Sequence, residues 1–151
     1  MSRIVTIGDA FSQELCFTRS QIQQFAEASG DRDPLHRDAS AARDHRFDDV
    51  LVPAGLLSAR LLAALSSHFT AFARPLHQAL HIEFQRPAQA GETLLMACRV
   101  SDAFWKDGLG GDLVTLTGTV HNARELQVAQ ASIHLLVMPK SGNISAAAGL
   151  P

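Results

Sequence analysis

Residues 53–69, PAGLLSARLLAALSSHF, carry the strongest indication of the fold. Proline is well tolerated in the first turn of a helix, and the residues after Pro53 are apolar on nearly every face. A helix of this kind is wrapped by the rest of its protein. Ser58 and Arg60 interrupt the apolar run, and the run is shorter than the roughly 20 residues that span a bilayer. We therefore predict a buried central helix and no membrane span.

The sequence after this helix changes to a period of two. Leu80, Ile82 and Phe84 alternate with polar residues, and strand-like runs follow at residues 92–104, 113–120 and 126–138. Four long strands joined by short turns, after one buried helix, predict an antiparallel sheet curled around that helix. The predicted class is α+β. Residues 3–7 form a short β-branched run that predicts a further strand, and residues 11–17 predict an extended segment.

The region before the central helix carries two helix signals. Thr18 and Gln21 fit a capping box, apolar residues follow at helical spacing, and Gly30 is placed to end the helix. Asp38 is placed to cap a second, short helix that runs through Arg43.

Composition limits the class of protein. The chain has 151 residues, is 46% hydrophobic and carries a formal net charge of -2, which suits one globular domain. It has no basic run, so we expect neither nucleic acid nor a membrane surface as a partner. The start lacks a signal-peptide pattern, which predicts a cytoplasmic protein. We expect a single domain at residues 1–139, a disordered tail at residues 140–151, and free, buried thiols at Cys16 and Cys98.

Residues 30–38, GDRDPLHRD, combine acids, arginines, a histidine and a proline between two helices. Pro34 excludes a continuous helix, so the chain must bend between Asp31 and His36. Two interpretations remain open. The segment could be a turn in which Asp side chains bond to nearby backbone, or the bend could aim Asp31 and His36 at one point as an acid/base pair. Spacing alone favours the turn.

A resemblance changes this balance. FAEASGDRDPLHRDASAA, then VPAGLL, then FQRPAQAGETL resemble the MaoC-like hydratase family, which includes the (R)-specific enoyl-CoA hydratases; the match runs over residues 7–137. Its most specific part is a G-D-x-x-P-x-H frame. The resemblance implies a hot-dog fold, usually in dimers, with Asp31 and His36 catalytic. It also implies substrate binding by Gly55, whose backbone N–H polarises the thioester carbonyl, and by the neighbouring site residues Pro34 and Leu56. Many members carry His before this glycine, where this chain has Ala54.

The implied reaction is (R)-specific hydration of trans-2-enoyl-CoA to (R)-3-hydroxyacyl-CoA and its reversal, with coenzyme A as part of the substrate and no cofactor. A base must activate water, a proton must reach C2, and the enolate oxygen needs donors. Which of Asp31 and His36 is the base stays open. A hot-dog thioesterase and a non-catalytic acyl-CoA or acyl-carrier binding subunit are the alternatives. Arg86, Trp105 and Lys106 either border coenzyme A or face solvent.

Three other residues have alternative interpretations. Arg60 lies in the apolar helix, where it either extends to solvent, pairs with Asp48 or Asp49, or meets a carboxylate on the acyl group. His77 and His81 have a zinc-like spacing only on a helix, and they stand at the entry to a predicted strand. We therefore expect no metal.

Overall fold

The computed structural model describes residues 3–140. Its helices and strands are, in chain order, β1 (Ala10–Leu15), α1 (Arg19–Ser29), a 3₁₀ turn (Pro34–His36), α2 (Ala39–Asp44), α3 (Ala54–Thr70), β2 (Ala73–Phe84), β3 (Leu94–Lys106), a second 3₁₀ turn (Asp107–Leu109), β4 (Gly111–Asn122) and β5 (Gln127–Pro139). The expected disordered tail lies outside the described residues from position 141 onwards. No helix between residues 3 and 140 is long and apolar enough to cross a membrane.

The five strands form one antiparallel sheet in the order β1-β3-β4-β5-β2. The sheet and the helix α3 confirm the predicted α+β class. Strand β2 begins at Ala73, seven residues before Leu80, and β4 gains two residues at each end, because a paired neighbour continues the hydrogen-bond ladder beyond the alternating apolar pattern. Strands β3 and β5 both begin and end later than predicted, by two residues and by one residue. Strand β1 adds the fifth strand, at the edge beside β3.

Helix α3 packs against the sheet through one face. Leu57, Leu61, Leu65 and Phe69 recur every four residues and are buried. Burying one such side chain contributes about 1.5–3 kcal/mol. The opposite face, which includes Gly55, Ala59 and other small residues, is exposed in the single chain. The prediction of a helix wrapped on nearly all sides is therefore wrong for the monomer. The sequence of α3 is apolar on nearly every face partly because it contains several alanines, whose small side chains cost little to expose.

The N-terminal segment does not form the predicted strand. Residues 3–9 are irregular, although Val5 is buried. The backbone N–H groups of Ile4 and Val5 donate to the buried Asp112 Oδ2 at 2.6 and 2.7 Å. The Asp112 carboxylate on β4 thus accepts N–H groups that a neighbouring strand would otherwise bind. The β-branched residues of this segment therefore pack against the core without strand-to-strand hydrogen bonds.

The helix caps follow the sequence. Thr18 forms a complete capping box with Gln21, and Gly30 ends α1 with a φ of 77°. Asp38 caps α2 through the N–H of Ser40.

One expectation about the cysteines is wrong. Cys98 is buried, as predicted, and burial raises the pKa of its thiol to about 11. Cys16 is exposed. It lies between the buried Leu15 and Phe17, so the alternation of an extended backbone turns its side chain outward.

Candidate active site

The loop after α1 is bent by consecutive Asp side chains. Gly30 reverses the chain, and the N–H of Asp31 still bonds to the last turn of α1. Asp31 Oδ1 then accepts the N–H of Asp33 at 2.9 Å, and Asp33 Oδ1 accepts the N–H of Leu35 at 3.0 Å. Pro34 is the first residue of the 3₁₀ turn. The loop is thus the turn that spacing alone favoured, and the same turn positions His36.

The His36 ring is fixed from one side and faces two carboxylates on the other. Its Nδ1 lies 2.7 Å from the Leu51 carbonyl oxygen. A carbonyl only accepts, so Nδ1 carries a hydrogen and, in the neutral ring, Nε2 has the free lone pair. Nε2 lies 3.8 Å from Asp31 Oδ2 and 3.9 Å from Asp33 Oδ2. These distances are too long for direct hydrogen bonds. They leave room for one water molecule bound to Nε2 and a carboxylate together.

The segment that holds His36 is itself tied to the core. Leu51 donates its N–H to the Leu35 carbonyl at 2.8 Å. On the other side, Val52 donates to the Ala88 carbonyl, and Ala90 donates to the Val50 carbonyl. The acceptor of His36 therefore belongs to a paired segment, which fixes the ring orientation.

A cleft of about 320 Å³ opens beside His36. Its wall includes the start of α3, the end of β2 and the segment that binds His36. Most of the wall is apolar; its polar side chains are those of His36, Gln85 and Arg86. The lining residues are His36, Leu51, Val52, Ala54, Leu57, Phe84, Gln85, Arg86, Pro87, Ala88 and Val128. An acyl chain suits such a wall.

The first turn of α3 offers free donors at this cleft. Pro53 precedes the helix with an extended backbone and no side-chain cap. The N–H groups of Leu56 and Leu57 both bond to the Pro53 carbonyl. Those of Ala54 and Gly55 have no hydrogen-bond partner within residues 3–140. Together with the positive end of the helix dipole, they can bind a developing negative charge.

The structure brings some predicted site residues together and not others. Asp31 and His36 approach each other, and Gly55 lies in the α3 turn next to the cleft-lining Ala54. Pro34 shapes the loop from an exposed position and does not line the cleft. Leu56 does not line the cleft either: its side chain is half-buried and packs against the core. Its neighbour Leu57 lines the cleft.

Gly55 has a defined neighbour. A Cβ at this position would lie 3.3 Å from Phe25 Cζ and 3.5 Å from Phe25 Cε1 on α1. The absence of a side chain therefore serves the approach of α1 to α3, and α1 is the helix that leads into the Asp31 loop.

The other candidate residues have ordinary partners. The Arg60 guanidinium lies 5.4 Å from the centre of the Phe17 ring, and no carboxylate of residues 3–140 pairs with it. Of the alternatives for Arg60, pairing with Asp49 is excluded, because Asp49 binds Arg19 at 2.9 Å, and this contact lowers the pKa of the Asp49 carboxyl. His77 bonds to a serine on α3. In the described part of the chain, no three potential metal ligands cluster.

Sequence reasoning missed two parts of the site. In the sequence, Asp33 has the pattern of a turn residue, and only its position three residues before His36 indicates that the two side chains share one side of a tight turn. The Leu51 carbonyl has no sequence signal, since every residue carries one.

The comparison with solved structures identifies the fold. The chain has the hot-dog fold of R-hydratases: it superposes on the unliganded R-hydratase PhaJ1 of Pseudomonas aeruginosa with a TM-score of 0.77, at 21% identity, over 90% of this chain and 84% of that one. At this identity the likeness shows the fold.

The family follows from the sequence comparison. Residues 6–131 match the model of the FAS1-like dehydratase domain region, and the chain belongs to this family. It is 34% identical over 108 residues to a UPF0336 protein of Saccharopolyspora erythraea, covering 68% of each chain. It is 33% identical over 92 residues to the mitochondrial 3-hydroxyacyl-[acyl-carrier-protein] dehydratase of Arabidopsis thaliana. That match covers 61% of this chain and 54% of the Arabidopsis protein, about half its length.

Proposed function

We propose that this protein catalyses the (R)-specific hydration of trans-2-enoyl-CoA and the reverse dehydration of (R)-3-hydroxyacyl-CoA. The observation that carries the proposal is the approach of His36 Nε2 to Asp31 Oδ2, 3.8 Å apart, beside an apolar cleft at the start of α3. Membership of a dehydratase-domain family supports the reaction class. So do the activities in the names of the two relatives, a hydratase and a dehydratase.

The proposed mechanism uses one water molecule between Asp31 and His36. The pair takes one proton from this water as its oxygen attacks C3 of the enoyl thioester. The pair then returns the proton to C2, so that the elements of water are added and the pair regains its starting charge. Proton transfer by a positioned side chain typically contributes about 10²–10⁴-fold.

The negative charge that develops between these steps lies on the thioester oxygen. In the proposed complex this oxygen accepts the free N–H groups of the first α3 turn, with Gly55 as the principal donor. These donors are held in place by the helix and need no reorganisation during the reaction. Loss of one such donor typically costs about 10²–10³ in kcat.

The carrier is proposed to be coenzyme A. The cleft wall is apolar where an acyl chain would lie, and Arg86 supplies a cation for a polar part of the carrier. Its guanidinium already binds the Gln127 carbonyl through Nη1, which leaves other N–H groups free to donate. No cofactor takes part in the proposed reaction. An acyl-carrier protein is the competing carrier, because the Arabidopsis relative is named for it.

We also propose that two copies of the chain form a homodimer. Strand β2 is an edge strand of 12 residues that pairs only with β5 within residues 3–140. It exposes Leu76 and Phe84, of which Phe84 also lines the cleft. Pairing of two β2 edges would cover these side chains and narrow the cleft entrance. Sedimentation equilibrium measures the oligomeric state directly, and a monomer at all protein concentrations would contradict the homodimer.

A cytoplasmic location stays a prediction.

The activity test uses purified protein and crotonyl-CoA. Loss of the enoyl-thioester absorbance reports hydration, and a thiol reagent in parallel reports hydrolysis. The variants are Asp31→Asn and His36→Ala, each with a matched control. Asp38→Asn changes a carboxylate that only caps α2, and His45→Ala changes an exposed imidazole that also bonds to a backbone carbonyl.

The expected result is hydration without thiol release, reduced at least 100-fold in the two site variants and preserved in both controls. Thiol release would indicate a thioesterase. Binding of acyl-CoA without turnover, unaffected by Asp31→Asn, would indicate a binding subunit. Crotonyl thioesters of coenzyme A and of acyl-carrier protein, compared by kcat/KM, identify the carrier. A chiral assay of the product tests the (R) configuration.

A further inference from the structure

The ring nitrogen of His36 faces two carboxylates that are held in the same way. In Asp31 and in Asp33 alike, Oδ1 accepts a backbone N–H two residues further on, and Oδ2 faces His36 Nε2. The two Oδ2 distances, 3.8 and 3.9 Å, are equal for practical purposes. The family frame that identifies Asp31 leaves position 33 free, so nothing in that frame assigns a role to Asp33.

We propose that Asp33 is a positioning residue whose negative charge stabilises the proton held by the Asp31–His36 pair between the two steps of hydration. When the pair takes a proton from water, one positive charge is added within reach of Asp33 Oδ2. Two opposite unit charges about 4 Å apart in water-like surroundings change the equilibrium constant for protonation by a factor of about five. The value for water-like surroundings applies because the Asp33 side chain is half exposed.

Few other charged side chains lie close to the His36 ring. From α1, Glu27 is paired with Arg37, and Arg37 also donates to the Asp31 carbonyl. From the end of β2, Arg86 lines the same cleft. The segment at residues 50–52 and the first turn of α3 bring no titratable side chain to the ring. Among residues 3–140, Asp31 and Asp33 are therefore the two anionic groups that face Nε2.

The test is Asp33→Asn, which removes the charge and keeps a side-chain oxygen that can cap the 3₁₀ turn. Asp33→Ser is a second neutral cap, to be used if the first variant does not fold. Asp38→Asn is the matched control, because Asp38 caps α2 through Ser40 in the same way. We expect kcat to fall about three- to tenfold in Asp33→Asn, with KM within twofold of the parent.

The acidic limb of the kcat/KM profile should also move toward lower pH. Without Asp33 the protonated pair is less stable, so protonation requires a more acidic solution. The control variant should show neither change. A loss of rate with an unmoved pH profile, or equal changes in Asp33→Asn and Asp38→Asn, would overturn the proposal.

Because this role rests on the proposed function, one readout must be independent of turnover. The His36 ring signal can be followed by NMR across the pH range in the parent and in both Asp variants. A half-titration point that is lower in Asp33→Asn alone supports the interaction. If the parent does not hydrate enoyl thioesters but this shift is present, the proposed function fails and the role of Asp33 toward His36 stands. An unshifted titration refutes the role of Asp33, whatever the activity.

Discussion

Gly55→Ala tests whether this glycine acts through its backbone N–H. A Cβ at position 55 would meet Phe25 Cζ at 3.3 Å and Cε1 at 3.5 Å. The first contact is tight, so the half-buried Phe25 ring must move by a few tenths of an ångström. Alanine favours a helix over glycine by about 0.8–1.0 kcal/mol, which offsets the cost of this movement. We expect the free energy of unfolding to change by less than about 1 kcal/mol, a shift of about 2–4 °C in Tm at most.

The effect on turnover should also be modest. Alanine keeps the N–H of residue 55, and the new methyl group lies against α1. We therefore expect kcat for crotonyl-CoA to fall less than about tenfold, compared with about 10²–10³ for loss of a donor. Trimming the neighbour in the double variant Gly55→Ala/Phe25→Leu should recover most of the loss, since the methyl acts through the Phe25 ring.

The assays are the enoyl-thioester absorbance and a thermal melt of each variant, with Phe25→Leu alone as the control. A loss above 100-fold in Gly55→Ala, with an unchanged Tm and no recovery in the double variant, would refute this reasoning. It would mean that the substrate itself occupies the space at the Cβ position.

Three further predictions concern groups outside the cleft. Asp112→Ala leaves two N–H groups of the N-terminal segment without their acceptor, so the free energy of unfolding measured in urea should fall by about 1–3 kcal/mol. Amide exchange in residues 3–8 should accelerate, and an unchanged exchange rate would contradict this prediction. At pH 8 a thiol reagent should label the exposed Cys16 rapidly and Cys98 only after unfolding, because burial holds the pKa of Cys98 at about 11; two rapid equivalents would contradict it. The His77 side chain is exposed at the surface, but partial desolvation lowers its pKa from the usual 6.5, so the unfolded chain binds a proton more readily and stability falls as the pH drops below about 6.5. His77→Gln should show a smaller fall in stability between pH 7.5 and pH 5.5 in urea titrations.

Much of the fold could be predicted because its signals are local. The capping box at Thr18, the stop at Gly30 and the start of α3 at Pro53 depend on residues within one helical turn. The strands follow from alternation with a period of two, which records the side on which a sheet is buried. The strand expected at residues 3–7 is wrong because a long-range partner, Asp112, replaced the local rule.

The site was predicted in part for the same reason. The sequence supplied the Asp31 and His36 spacing and, by resemblance, their role, and the bend required by Pro34. It did not show that Asp33 stands as near to His36 Nε2 as Asp31 does. Nor did it show that Leu57, and not Leu56, faces the cleft. That difference is a rotation of about 100° around the helix axis, and only packing against the sheet fixes the rotation.

Propensity, capping and periodicity act over a few residues, so the sequence was enough to predict most helices and strands, the helix ends and the residues that could carry the chemistry. The tertiary structure alone decided which nitrogen of His36 is free to take a proton. That choice depends on the Leu51 carbonyl, 15 residues away along the chain, which accepts from Nδ1 at 2.7 Å and leaves Nε2 to the two carboxylates. A backbone carbonyl has no residue type to read, and only folding brings this one to the ring.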